Sequence, residues 1–184
     1  NQFGALAMAG CGSYSKIEGF GFIPVTCFSQ ALTTFIGQNL GAKEYDRTKK
    51  GALFGTICGI GIAEVIGIAV FFFSPYLIAA FGGDQKAIEY GIAEAHTIAL
   101  FYCLLAFSHC MAAIQRGAGR SIVPMFVMML VWCGVRVTYI SIVIRIIPVI
   151  NVIYWAYPLT WFISSVIFLI LFLKTDWIHG LEKQ

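Results

Sequence analysis

Between short polar breaks this chain runs apolar for about twenty residues or more at a time. Crossing about 30 Å of hydrocarbon takes roughly 20 helical residues. Five stretches are long enough: 17–40, 52–81, 87–114, 122–147 and 152–173. A soluble fold of 184 residues cannot bury them all, because small domains keep much of their surface in water. Hydrophobic residues make up 59% of the chain and charged residues 11%, against about 45–50% and about 25% in soluble domains. The chain therefore reads as an all-α, polytopic membrane bundle of about five helices, a single membrane domain over 1–184 with a soluble tail at 174–184. Residues 1–16 are expected to form the outer part of the first span or its connecting loop.

Charge sets the expected orientation. The breaks carrying Lys43, Arg47, Lys49, Lys50, Arg116 and Arg120, with Lys174 and Lys183 of the tail, share one side. They hold eight of the twelve Lys and Arg residues, and such enrichment marks the cytoplasmic side. The chain is then expected to start outside and end inside, and to lack at least one earlier helix. A start at Asn1 without a charged leader points the same way, to a piece of a longer protein. A net charge of +3 with no basic face gives no reason to expect a nucleic-acid partner; the bilayer is the expected surrounding. Six cysteines without C-x-x-C spacing are expected to pack as small apolar residues. The run 37–43, G-Q-N-L-G-A-K, lacks the spacing of a phosphate loop. No hydrolase or metalloprotease signature is present, so no catalytic residue, metal or cofactor is expected and the chain is not read as an enzyme.

Polar residues inside the spans carry what functional signal there is. In the first, Thr26, Ser29, Gln30, Thr33 and Gly37 fall at helical spacing on one stripe, with Val25, Phe28, Leu32 and Phe35 on an oily side suited to lipid. The stripe is either interhelical hydrogen bonding or a substrate-facing wall. In the second span Gly51, Gly55 and Gly59 let a neighbouring backbone approach. Glu64, inside "GIGIAEVIGIAVFFF", points away from that seam. It either faces a polar interior as a proton or cation site or is a neutral, hydrogen-bonded acid.

The third span is the least lipid-like and is expected to pack against other helices, with Glu94 and His96 on different faces. His109 is either a satisfied structural histidine or a proton carrier. Arg136 of the fourth span lies too deep to reach the headgroups and needs a partner, with Glu64 and Glu94 as candidates. Tyr154, Trp155, Tyr157 and Trp161 of the fifth read as an interfacial belt, or alternatively as stacking surfaces. Thr26, Gln30, Thr33, Glu64, His109 and Arg136 are thus the cavity-lining candidates, and Glu64 and His109 the proton- or cation-coupling candidates.

Three stretches in order, "ALTTFIGQNLGAKEYDRTKKG", "AAIQRGAGRSIVPM", and "GVRVTYI" followed by "VIYWAYPLTW", resemble the multidrug and toxic compound extrusion (MATE) family. The resemblance covers nearly the whole chain. It implies the eighth to twelfth helices of a twelve-helix transporter: a partial six-helix carboxy-terminal lobe whose amino-terminal lobe is missing. It further implies a multi-pass plasma-membrane protein, bacterial, with a cytoplasmic C-terminus. Such a protein is a sodium- or proton-coupled antiporter exporting small, drug-like, cationic organic compounds by alternating access. The coupling Na+ or H+ would be bound mainly outside this chain, because the acidic ligand many members carry about eleven residues before the Arg-Gly pair corresponds to Leu105 here. Gly82 with Gly83, and Gly117 and Gly119 with Pro124, are expected hinges. The alternatives are a lipid-linked sugar flippase of related fold, with a more cationic cavity, and a non-transporting membrane accessory subunit.

Overall fold

A computed structural model describes residues 3–178. Among these residues five helices are long and apolar enough to cross a membrane: α1 (Gly4–Gly41), α2 (Tyr45–Ala80), α3 (Gln85–Gly117), α4 (Ile122–Ile146) and α5 (Asn151–Lys174). The third expected span is the centre of the bundle. It packs against α1, α2 and α5, and its Glu94, Ser108 and Gln115 are buried. His96 lies on its exposed side.

The first helix starts at Gly4, so the 4–16 region is helical. Glycines that suggest a loop here serve close packing instead. A Cβ on Gly10 would collide with the Ala87 carbonyl, and one on Gly91 would lie 2.8 Å from the Gly10 carbonyl. At the other end of the same pair, a Cβ on Gly117 would lie 2.7 Å from the Thr33 carbonyl. Helices α1 and α3 therefore touch backbone to backbone at both ends. Between those contacts the large side chains of Tyr14, Tyr102 and Leu105 fill the core. Gly10→Val should lower stability by about 1–3 kcal/mol through overpacking against a fixed backbone. Gly12→Val, with open space around it, should leave the thermal midpoint in detergent unchanged; equal losses would contradict this packing.

The oily side of α1 does not face lipid as the sequence suggested. Val25 and Leu32 are buried, because α1 packs on two neighbours at once and needs two apolar faces. The second of these faces meets the glycine stripe of α2. Phe35 lies on Gly51, the Leu32 methyl comes within 2.7 Å of a Cβ built on Gly55, and Phe28 within 3.3 Å of one on Gly59.

Two interruptions shape the interior. Pro75 in α2 lacks the N–H that would bond the Phe71 carbonyl one turn earlier. That carbonyl instead accepts from Ser74 Oγ at 3.2 Å and from the His96 Nε2–H at 3.1 Å, while the His96 ring stacks on Phe71 at 4.4 Å. The second is a 3-10 turn, Ala99–Phe101, that breaks α3 into Gln85–Ile98 and Tyr102–Gly117. Gly67 admits the Ala99 carbonyl directly onto the α2 backbone. Glu64, nearly one turn before it, accepts the Cys103 N–H at 3.2 Å. A broken helix leaves its restarting N–H groups without partners, and a carboxylate is the favoured acceptor at such an end.

Helix α4 contains a wide π-helical stretch, Met129–Val135. The loops before α3 and α4 turn at glycines with positive φ: Gly82 (72°), Gly83 (131°) and Gly119 (77°). The region after α5 is not simply a solvated tail. Trp177 is buried, stacks on Phe172 at 5.1 Å, and the neighbouring Asp176 carbonyl accepts from Arg120 Nη2 at 2.8 Å. The rest of that expected tail, 179–184, lies outside the described residues.

Candidate functional site: two clefts along the first helix

One face of α1 runs Ser15, Glu18, Phe22, Thr26, Ser29, Thr33 at steps of three and four residues. Two clefts open along it in succession. The first, about 290 Å³, is walled by Ser15, Glu18, Gly19 and Phe22 of α1, Leu105 of α3, Trp132 and Arg136 of α4, and Tyr157 and Trp161 of α5. The second, about 360 Å³, is walled by Thr26, Ser29, Gln30 and Thr33 of α1 with His109 and Arg116 of α3.

In the first cleft Arg136 is half-buried and fixed from two directions. Its Nη2 and Nε donate to Thr160 Oγ1 at 2.7 and 3.2 Å. Its guanidinium lies 4.2 Å from the centre of the Tyr157 ring, a cation–π contact. Glu64 and Glu94, the partners expected from sequence, are not what holds it: Glu64 is engaged by Cys103, and the carboxylate lining the Arg136 cleft is Glu18. Trp132 projects from the π-helical stretch, a type of distortion found at functional sites. Its Nε1 donates to Ser164 Oγ at 3.2 Å. Ser164 and Ser165 hydroxyls lie 2.9 and 3.1 Å from Ser108 Oγ. This hydroxyl cluster ties α3, α4 and α5 behind the aromatic wall.

His109 sits where the clefts adjoin. Its ring meets Phe22 edge-on at 4.9 Å and tilts against Trp132 at 5.4 Å. Its buried Nε2 has no hydrogen-bond partner among the described residues, so the satisfied structural histidine is not what the geometry gives. In the second cleft Arg116 Nη2 donates to Ser29 Oγ at 3.3 Å, and that hydroxyl donates to the His109 carbonyl at 3.3 Å. Thr26 and Thr33 return their hydroxyl protons to their own helix, at Ile23 O (2.8 Å) and Ser29 O (3.0 Å). They therefore offer lone pairs and methyls to the cleft, with no free proton. Gln30 is exposed.

Of the six residues singled out from sequence, Thr26, Gln30, Thr33 and His109 come together in the second cleft and Arg136 stands in the first. Glu64 lines neither. The belt expected on α5 is corrected: Tyr154 and Trp161 are buried, Tyr157 faces the first cleft, and Trp155 alone of the four is exposed. Two cleft residues were missed. Glu18 sits fourteen residues into α1, roughly 20 Å along it, but a span drawn from residue 17 placed it at the margin. Arg116 read as a loop cation, whereas α3 continues to Gly117.

A family model described as MatE matches residues 1–147. The "Probable multidrug resistance protein NorM" of Thermotoga maritima is 30% identical over 124 residues, covering 67% of this chain and 27% of that protein. The "Probable multidrug resistance protein YoeA" of Bacillus subtilis is 24% identical over 141 residues, covering 74% of this chain and 30% of that protein. The chain thus spans less than a third of the length of these relatives. The fold matches the solved structure "MATE transporter ClbM in complex with Rb+" with a TM-score of 0.86 over 96% of this chain and 42% of that one, at 18% identity.

Proposed function

Because the chain belongs to the MATE family, whose members are multi-pass membrane transporters and not enzymes, we propose that it forms one wall of a cation-coupled exporter of drug-like organic cations. The observation that carries this reading is the first cleft: Glu18 stands among Phe22, Trp132 and Trp161, while Arg136 in the same cleft is already held by Thr160 and the Tyr157 face. Aromatic faces attract cations, and few polar groups among many apolar ones suit a ligand site of broad tolerance. The names of the relatives, multidrug resistance proteins, support the same substrate class.

Facing this wall is a second lobe, matching the greater length of the relatives. Alternating access follows if substrate and coupling ion bind the inward- and outward-facing arrangements unequally. Sodium or a proton drives the exchange, and Glu18 is the carboxylate of the first cleft that competes for it. It occupies the same cleft as Leu105, where the family pattern leads one to expect the acid, so the carboxylate comes from the adjacent helix. The Lys- and Arg-rich breaks support a cytoplasmic side that includes the C-terminus, and the bacterial relatives support a bacterial cell.

Binding of a fluorescent aromatic cation such as ethidium to the full-length protein tests this reading. Glu18→Gln should weaken it about tenfold, roughly 1.4 kcal/mol, with a smaller effect on a neutral aromatic compound. Equal affinity in wild type and variant would overturn it. A second reading, flipping of an anionic lipid-linked sugar, gains from Arg116 joining Arg136 as a cleft cation. It requires that a soluble pyrophosphate-bearing analogue displace ethidium and that Arg116→Gln abolish the displacement.

A further inference from the structure

A buried carboxyl stands outside both clefts. Glu94 of α3 is 5% exposed, and its Oε2 has no hydrogen-bond partner among the described residues. Its surroundings do little to solvate an anion. From α1 the Cys11 thiol interacts with its carboxylate, and the Glu18 carboxylate adds like charge. The phenols of α1, α3 and α5 do not reach its Oε2: Tyr14 and Tyr102 hydroxyls share one hydrogen bond at 3.1 Å, and Tyr154 OH donates to the Tyr90 carbonyl at 3.2 Å. Tyr157 belongs to the Arg136 cleft, and Arg136 itself is held by Thr160. From α2, Glu64 is bound to Cys103 and brings no positive charge. An ionised carboxylate accepts at about four lone-pair sites, and burying one without donors or a counter-charge is costly.

A cleft nevertheless lies beside Glu94. A vestibule of about 210 Å³, walled by Phe3, Ala7, Met8 and Cys11 of the α1 end and Ile153 and Tyr154 of α5, opens at the end of the bundle opposite the basic breaks. Cys11 and Tyr154, 3.8 Å apart, form its floor, and the Cys11 thiol is one of the groups that interact with Glu94. Glu94 therefore interacts with a residue that lines the cleft at the end opposite the basic breaks.

We propose that Glu94 is a proton-binding site loaded from the outer vestibule, and that proton uptake lets α1, α3 and α5 close over it. This rests on the transport reading above and supplies it with a proton entry point in this lobe. Outer water gives up a proton and one O–H bond forms on Glu94; release reverses the step and no electrons change hands. The neutral acid tolerates the dry packing described here, whereas the anion needs water and holds the vestibule open. The two forms differ in their preference for the closed arrangement, which is the condition for shifting an equilibrium. A proton is favoured over a metal cation because a hard cation takes about six oxygen ligands, and Glu94 is joined by a thiol and by phenols already bonded elsewhere.

The test uses the full-length protein in liposomes and needs no transport assay. A hydrophobic carbodiimide, which reacts with buried protonated carboxyls, is applied over a pH series and the adduct is located by mass spectrometry. The adduct on Glu94 should fall at least tenfold as pH rises through the titration. In a variant keeping only Cys11, the rate of reaction with an outside-added impermeant maleimide, divided by that of a free thiol at the same pH, should rise several-fold from low to high pH, the division removing the ordinary ionisation of a thiol. Glu94→Gln should hold that ratio at its low-pH value throughout; should this variant not fold, the two measurements with Glu94 intact decide. Labelling of Glu94 that is absent or independent of pH, a Cys11 ratio that ignores pH, or protection by sodium at fixed pH would each overturn the proposal. Failure here alongside intact Glu18-dependent cation binding would leave the cleft reading standing.

Discussion

Arg136→Gln is expected to reduce drug export by the full-length protein about a hundredfold. Removing one member of a buried, hydrogen-bonded charge arrangement costs about 2–5 kcal/mol, and roughly 3 kcal/mol corresponds to about a hundredfold in rate. Without the guanidinium, Glu18 loses the positive charge that shares its cleft, and Tyr157 loses its cationic partner. Arg136→Lys should rescue little. An ammonium cannot send two N–H groups to Thr160 while lying flat over Tyr157. Export rates in cells expressing equal amounts of each variant check this, and full activity of the lysine variant would refute the role given to the planar group.

Glu64 gives the second large effect, and here side-chain chemistry separates two roles. A coupling carboxylate must ionise, whereas an acceptor for the Cys103 N–H need only present an oxygen. Glu64→Gln should therefore keep most of the stability and most of the transport. Glu64→Leu leaves a buried N–H at the break in α3 without an acceptor, a loss of about 1–3 kcal/mol, and should lower the thermal midpoint of the purified protein by several degrees. Were Gln as damaging to transport as Leu while the thermal midpoint stayed put, Glu64 would be a coupling group after all.

The helices were legible because hydrocarbon thickness imposes length and composition directly on sequence. The stripe Thr26–Ser29–Gln30–Thr33 was legible for a related reason, since polar groups in a membrane must share a face. What stayed hidden is what depends on neighbours. Val25 and Leu32 looked lipid-facing because periodicity reports an apolar side without naming what covers it. Glu64 could not be matched to Cys103, thirty-nine residues away, since a break in α3 leaves little trace beyond an unexceptional "ALFYC". Pro75 and His96 illustrate the same limit: proline announces an unbonded carbonyl, but only the fold says which ring answers it. Glu18 was recoverable in principle. Extending the stripe outward from Thr26 by the same steps reaches Phe22, Glu18 and Ser15.

The central claim is that an organic cation occupies the aromatic cleft beside Glu18 and Arg136. A cysteine placed at Ser15, on the rim of that cleft, offers the most direct measurement: its rate of reaction with a maleimide, with and without saturating ethidium, in full-length protein otherwise free of cysteine. Occupancy of the cleft predicts that ethidium slows Ser15→Cys at least severalfold and that Glu18→Gln raises the ethidium concentration needed for this protection about tenfold. Unchanged reaction at Ser15→Cys, with protection appearing instead at Ser29→Cys, would contradict it.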